Sequence, residues 1–249
     1  MIMIKNAVVT GGSNGIGRAA VKMLAQDGIN VLFSYRTDEK AKDTLLKEVS
    51  TMSGKVYAVK ADIGCMKDIQ KLYQEACAQF QTIDILFNNA GVFLESTFFT
   101  VTEENFDRTV SVIEKGTFFL TQFIVHHMVE NKIRGRIVNI SSAVTKNQAG
   151  QPIDYCMAKA AINVFTTALA KEVGIYGITV NAILPGAIPT NINKWQFSDE
   201  KIRESFRLGS VLHELGDTDY IVGALKYFIS EEARWTTGVL MSVDGGYTL

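Results

Sequence analysis

The chain's 249 residues, 47% of them hydrophobic, suffice for a substantial buried core and exclude an intrinsically disordered protein. Its 25 basic and 26 acidic residues are spread along the sequence, which argues against a nucleic-acid or anionic-membrane surface. No uncharged stretch is long enough to span a bilayer, and residues 1–6 lack the basic region and apolar run of a secretory leader.

In chain order, short β-branched runs at residues 6–9, 30–34, 56–60, 83–87, 136–140, 179–183 and 240–243 read as strands. Amphipathic segments at residues 16–27, 39–52, 66–80, 103–130, 152–175 and 217–230 read as helices between them. This alternation predicts an α/β fold: one doubly wound parallel sheet of about seven strands with helices on both faces, a Rossmann fold, in a single domain over residues 1–249. Residues 187–215 interrupt the rhythm with Trp195, Phe197 and Phe206, and are expected to cover a substrate as a lid; an ordinary surface insertion is the alternative. Cys65, Cys77 and Cys156 have no metal-type spacing and fit reduced thiols in a cytoplasmic protein without a metal site.

The first strand ends in Thr10-Gly11-Gly12-Ser13-Asn14-Gly15-Ile16-Gly17, and a helix follows at once. Glycines at such a turn let the backbone approach a pyrophosphate, which rests on the positive end of the helix. The second strand runs into Tyr35-Arg36-Thr37, with no acid before Asp38. An arginine there suits a ribose 2′-phosphate, so NADP(H) is expected as cofactor, with a solvated Arg36 and NAD(H) use as the alternative. After the third strand, Asp62-Ile63 is placed either to meet an adenine edge or to cap the next helix.

Tyr155 and Lys159 stand four apart on one predicted helix face. A phenol with an ordinary pKa of about 10 is a poor acid at neutral pH, and a neighbouring ammonium lowers it. Ser142, thirteen residues upstream at a strand end, offers a hydroxyl to an oxygen on which charge develops.

Together, Thr10-Gly11-x-x-x-Gly15-x-Gly17, Asn88-Asn89-Ala90-Gly91, Ser142, Tyr155-x-x-x-Lys159, Pro185-Gly186 with Thr190, and Val243-Asp244-Gly245-Gly246 resemble the short-chain dehydrogenase/reductase family over essentially the whole chain. The likeness is to its compact branch, near 3-oxoacyl-carrier-protein reductases and glucose-dehydrogenase-like members. It implies an oxidoreductase that moves a hydride between nicotinamide and a small-molecule carbonyl or alcohol. Tyr155 would be the general acid or base, Lys159 would lower its pKa and hold the nicotinamide ribose, and Ser142 would orient the carbonyl. The same resemblance implies cofactor contacts from Gly11 and Ser13 to Gly17, Tyr35, Arg36, Asp62, Ile63, Asn89-Ala90-Gly91, Pro185-Gly186, Ile188 and Thr190. It also implies a homo-oligomer, tetramer or dimer, for whose interface Phe118, Phe119 and Phe123 would suit.

Two positions depart from the family pattern. Ile113 stands where a catalytic asparagine usually holds a relay water for the lysine, and Ser111 and Glu114, near in sequence, fall on different faces of the helix. Glu214 and Tyr220 replace an arginine and its acidic partner. The first departure leaves open a catalytically weak or inactive dinucleotide-binding protein as the alternative. An epimerase or dehydratase is a third reading, opposed by the lack of a long C-terminal substrate region.

Overall fold

The computed structural model describes residues 5–148 and 150–249; residues 1–4, part of the segment read for a leader, and Ala149 lie outside the described residues. Seven strands, β1 (Asn6–Val9), β2 (Asn30–Tyr35), β3 (Val56–Lys60), β4 (Ile85–Asn88), β5 (Arg136–Ile140), β6 (Thr179–Pro185) and β7 (Leu240–Val243), form one sheet. Their order is β3-β2-β1-β4-β5-β6-β7 and every pairing is parallel. Crossovers between parallel strands place helices on both faces, so each strand is buried twice and reads as a nearly continuous apolar run.

Alternate side chains divide between two cores. Ala7, Val9, Val31, Phe33, Ile85, Phe87, Val138 and Ile183 face one side, where α1 (Gly15–Gln26), α2 (Glu39–Val49) and α9 (Thr218–Ile229) cover them. Val8, Leu32, Leu86, Ile137 and Val180 face the other, under α3 (Met66–Gln79) and α5 (Thr117–Glu130). The strand ends follow the expected positions to within two residues, with β4 starting at Ile85 instead of 83 and β6 continuing to Pro185.

The segment 103–130, expected as one helix, is three elements. The helix α4 (Glu103–Val110) gives way to a π-helical turn (Ser111–Gly116) before α5. Apolar periodicity does not register such a turn, because the backbone stays helical while side chains beyond it change phase. Gly116 lets the turn lie on the chain after β3: a Cβ there would stand 2.3 Å from the Ile63 carbonyl oxygen. The helix α6 (Ile153–Val173) packs across the turn. Residues 187–215 fold as a 3₁₀ turn and two helices, α7 (Lys194–Phe197) and α8 (Glu200–Gly209).

Substituting Gly116→Ala should therefore lower the free energy of unfolding by about 1–3 kcal/mol, the usual cost of overpacking against backbone. Urea denaturation of the two proteins checks this; equal midpoints would show that the turn shifts without cost.

Candidate functional site

The sheet order places β1 beside β4, and the chains leaving these strands turn to opposite faces, which opens a crevice at their carboxyl ends. Hydrogen bonds lace the crevice walls together. Thr10 Oγ1 accepts from the Asn89 and Ala90 backbone N–H groups at 2.9 Å each, and Asn89 Nδ2 donates to the Thr10 and Gly11 carbonyls at 2.9 and 3.1 Å. Gly11 and Gly15 have φ of +65° and +52°, open to glycine at little strain. Gly17 packs so closely that a Cβ would lie 2.3 Å from the Gly11 carbonyl oxygen. The N-cap of α1, Asn14, makes no side-chain cap bond, and the first turn has no acid, so the helix start presents uncapped N–H groups. Such an end fits a pyrophosphate. A cleft of about 470 Å³ runs from this loop past Arg36 at one end to Tyr155 and Lys159 at the other, long enough in its lining for both halves of a dinucleotide.

At the adenosine end, Arg36 is exposed and lines the cleft, as does Asp38. Asp38 caps α2 by accepting from the Ala41 N–H at 2.9 Å, and takes a second bond from Asn14 Nδ2 at 3.2 Å. These bonds hold its carboxyl below the usual range, so a negative charge stands near Arg36. The Tyr35 hydroxyl donates to Glu39 at 2.8 Å and its ring belongs to the core, leaving mainly its backbone for the cleft. The cap position of α3 is Cys65, so Asp62 is not the cap residue of that helix. Burial raises the Asp62 carboxyl, but Arg108 at 3.0 Å and the Gly64 N–H at 2.9 Å outweigh it and hold the group ionised. Ile63 lines the cleft while its side chain packs in the second core.

At the other end, β5 delivers Ser141 and Ser142 to the head of α6. Ser141 Oγ donates to the Lys159 carbonyl at 3.1 Å, and Ser142 hydrogen-bonds the Tyr155 phenol. Lys159 Nζ is 5.7 Å from the Tyr155 ring centre and donates to the Ile140 carbonyl at 2.7 Å. Burial pushes the phenol up to about 12, against the pull of the Ser142 bond, and pushes the Lys159 ammonium down to about 8. Ile113 is buried against Tyr155, Ala158 and Ile162, so the wall behind the pair is apolar where the family pattern has an amide. Glu114 is half-buried, and burial raises its carboxyl.

Pro185 and Gly186 close the cleft beneath residues 187–215, Gly186 N–H donating to Val243 O at 3.0 Å. Ile188 is buried in the first core with its backbone at the cleft, and Thr190 lies against Gly15. Asn191 Nδ2 donates to Asn14 Oδ1 at 3.0 Å, tying this segment to the glycine loop. The unusual Glu214 is held through its backbone by Ser210 Oγ, and Tyr220 is exposed. Apart from Gly17, which packs behind the loop on Gly11, the predicted site residues line one cleft. The structure adds Arg108, Asn191 and Phe93, which belong to no local motif; only the position of Phe93, two residues past the Asn-Asn-Ala-Gly run, pointed to it.

A family model described as short chain dehydrogenase matches residues 5–201. An L-rhamnose 1-dehydrogenase (NADP(+)) of Thermoplasma acidophilum is 35% identical over 243 residues, 97% of this chain and 95% of that relative. Glucose 1-dehydrogenase 2 of Bacillus subtilis is 32% identical over 98% of this chain and 95% of its own length. The crystal structure of a short chain dehydrogenase from Burkholderia cenocepacia in complex with NADP superposes with a TM-score of 0.91 at 27% identity, covering 98% of both chains.

The buried ammonium has a consequence for stability. Its native pKa of about 8 lies below the ordinary 10.5, so unfolding takes up a proton between these values and the native state is disfavoured most below pH 8. Lys159→Met should stabilise the fold at pH 7 by about 1–3 kcal/mol, the gain reduced by the orphaned Ile140 carbonyl. The advantage should shrink as pH rises from 8 towards 10.5. Urea titrations at several pH values would show it; a pH-independent difference would mean the ammonium is better solvated than its burial indicates.

Proposed function

The chain belongs to the short-chain dehydrogenase/reductase family of enzymes, and from that premise we propose that it is an NADP(H)-dependent carbonyl reductase. The observation that carries the reading is the convergence of Ser142, Tyr155 and Lys159 at one end of a cleft whose other end fits a dinucleotide. The bound nicotinamide supplies or accepts the hydride. Ser142 donates a hydrogen bond to the substrate oxygen and holds the carbonyl against Tyr155. Tyr155 gives its proton to that oxygen in reduction and takes one back in oxidation. The Lys159 ammonium stabilises the phenolate left behind, which matters most in a buried site where no water screens the charge. Orientation in the closed cleft supplies the rest of the rate enhancement.

Arg36 meets the ribose 2′-phosphate and gives the preference for NADP(H), while Asp38 nearby moderates it enough to keep NAD(H) usable. The NADP(+) in the name of the Thermoplasma relative and the NADP in the Burkholderia complex support this choice. One catalytic domain carries the reaction, with residues 187–215 as its lid, latched through Asn191 and Asn14. Exposed Phe118 on α5 and Val164 on α6 support assembly through these helices, whereas Phe123 stacks on Tyr73 of α3 and is turned away from that face. The unpaired Cys65, Cys77 and Cys156 suit the reducing cytoplasm. No helix among the described residues is long and apolar enough to cross a membrane.

Fluorescence titration with NADPH and NADH, followed by oxidation with ketones, aldehydes and β-ketoesters, tests the proposal. NADPH should bind more tightly, and Arg36→Ala should cut its advantage about tenfold, the value of one charge-assisted contact. Tight binding with no oxidation by any carbonyl would replace the reductase with a cofactor-binding protein.

Ile113 gives a second test. The apolar wall leaves Lys159 without a side-chain route to a relay water, so proton return after each turnover is slow. Ile113→Asn should raise kcat by about threefold or more, within the range of general acid–base effects. An unchanged kcat with intact folding would mean the proton returns by another path.

A further inference from the structure

Beside Ser142 and Tyr155 a second cavity opens between the cleft and the lid, and its chemistry is narrow. None of the residues lining it is a lysine, arginine, histidine, aspartate or glutamate. Five aromatic residues line it, Phe93, Tyr155, Phe197, Phe206 and Tyr247, from four separate parts of the chain. Phe93, from the loop after β4, meets the Tyr155 ring edge-on at 4.8 Å and is stacked under Trp195 of α7 at 5.5 Å and 21°. Opposite, Phe197 and Phe206 of the lid are 5.4 Å apart, and Phe206 continues to Tyr247 near the C-terminus at 6.0 Å.

The polar groups in this cavity are uncharged, and some are committed. The Asn193 amide is spent within the lid: Oδ1 accepts from the Thr190 N–H at 2.8 Å, and Nδ2 donates to the Ile188 carbonyl at 2.9 Å. Asn147, Gln151 and Gln196 bring further uncharged amides to the lining, and Ser142, Tyr155 and Tyr247 bring hydroxyls. A carboxylate or phosphate beside the carbonyl would meet no cation in this lining. A flat apolar group would instead find ring faces and edges at the separations aromatic pairs favour.

We propose that the substrate is an uncharged ketone bearing an aryl group, the ring lying between Phe93 and the Phe197–Phe206–Tyr247 wall. The inference rests on the reductase reading above and names its substrate class. In the reaction the carbonyl carbon takes a hydride from the dihydronicotinamide and the oxygen takes the Tyr155 proton. The C=O π bond becomes a C–H and an O–H bond; the ketone is reduced to a secondary alcohol by two electrons and the cofactor is oxidised by two. Phe93 is the specificity-determining residue, because it touches both the acid and the cavity, and Trp195 fixes its orientation.

The full-length enzyme with NADPH should be assayed on acetophenone and 1-phenyl-1,2-propanedione, on 2-butanone and 2,3-butanedione, and on phenylglyoxylate, with glucose and rhamnose oxidation by NADP+ as the reverse arm. The aryl ketones should exceed the aliphatic ones in kcat/KM by about tenfold or more, with the aldoses and the keto acid behind both. Phe93→Ala and, independently, Phe197→Ala should each reduce the aryl-to-aliphatic ratio by about threefold or more, mainly through KM. Preference for an aldose or the keto acid, or a ratio that neither variant moves, overturns the inference and leaves the reductase standing. No turnover of any compound with NADPH bound overturns the reductase reading and this inference with it.

Discussion

The bonds between Thr10 and Asn89 are the constraint on which the rest of the site depends. A parallel sheet whose order reverses at β1 and β4 leaves a gap at their carboxyl ends, and the chain must hold that gap at a fixed width. One threonine hydroxyl and one asparagine amide do so by using backbone groups that the two strands can no longer pair. With the width set, the glycine loop lies flat enough for Gly17 to rest on Gly11, and α1 points its uncapped end into the crevice. The same bonds fix the direction in which the chain leaves β4, and so the place of Phe93 over Tyr155.

The second organising feature is a charge kept where water is scarce. Lys159 is buried beside the Tyr155 ring with its ammonium bound to the Ile140 carbonyl, an arrangement that costs stability. Burial alone drives the phenol and the ammonium in opposite directions, one towards its neutral acid and the other towards its neutral base. A developing charge on the substrate oxygen would draw the two together. Ile113 sets an apolar side chain against Tyr155 where the family pattern has an amide.

Around this centre the two halves of the cleft differ in kind. The cofactor end is built from backbone N–H groups, paired charges and capping bonds, of which Asp62–Arg108 and Asp38–Asn14 are examples. The end beneath residues 187–215 is uncharged, with aromatic rings, amides and hydroxyls in its lining. Residues 187–215 join the two, tied to the glycine loop by Asn191 at one edge and contributing Phe197 and Phe206 at the other.

The sequence by itself determined the sheet and the residues of the motifs, for a local reason. Strand side chains buried on both faces must be apolar whatever the neighbours are, and a phosphate-binding turn needs glycine at positions set by its own geometry, as at Gly11 and Gly15. The spacing of Tyr155 and Lys159 is likewise a property of one helix. Only the tertiary structure decided what lies far apart in the chain. The π-helical turn at Ser111–Gly116 left no trace in the apolar periodicity, and it is this turn that sets Ile113 against Tyr155. The pairing of Arg108 with Asp62, the half-burial of Phe123 against Tyr73, and the meeting of Phe93 with Trp195 across the cavity each join residues from separate crossovers. Such contacts depend on how helices pack over a sheet, and neither propensity nor spacing along the chain carries that information.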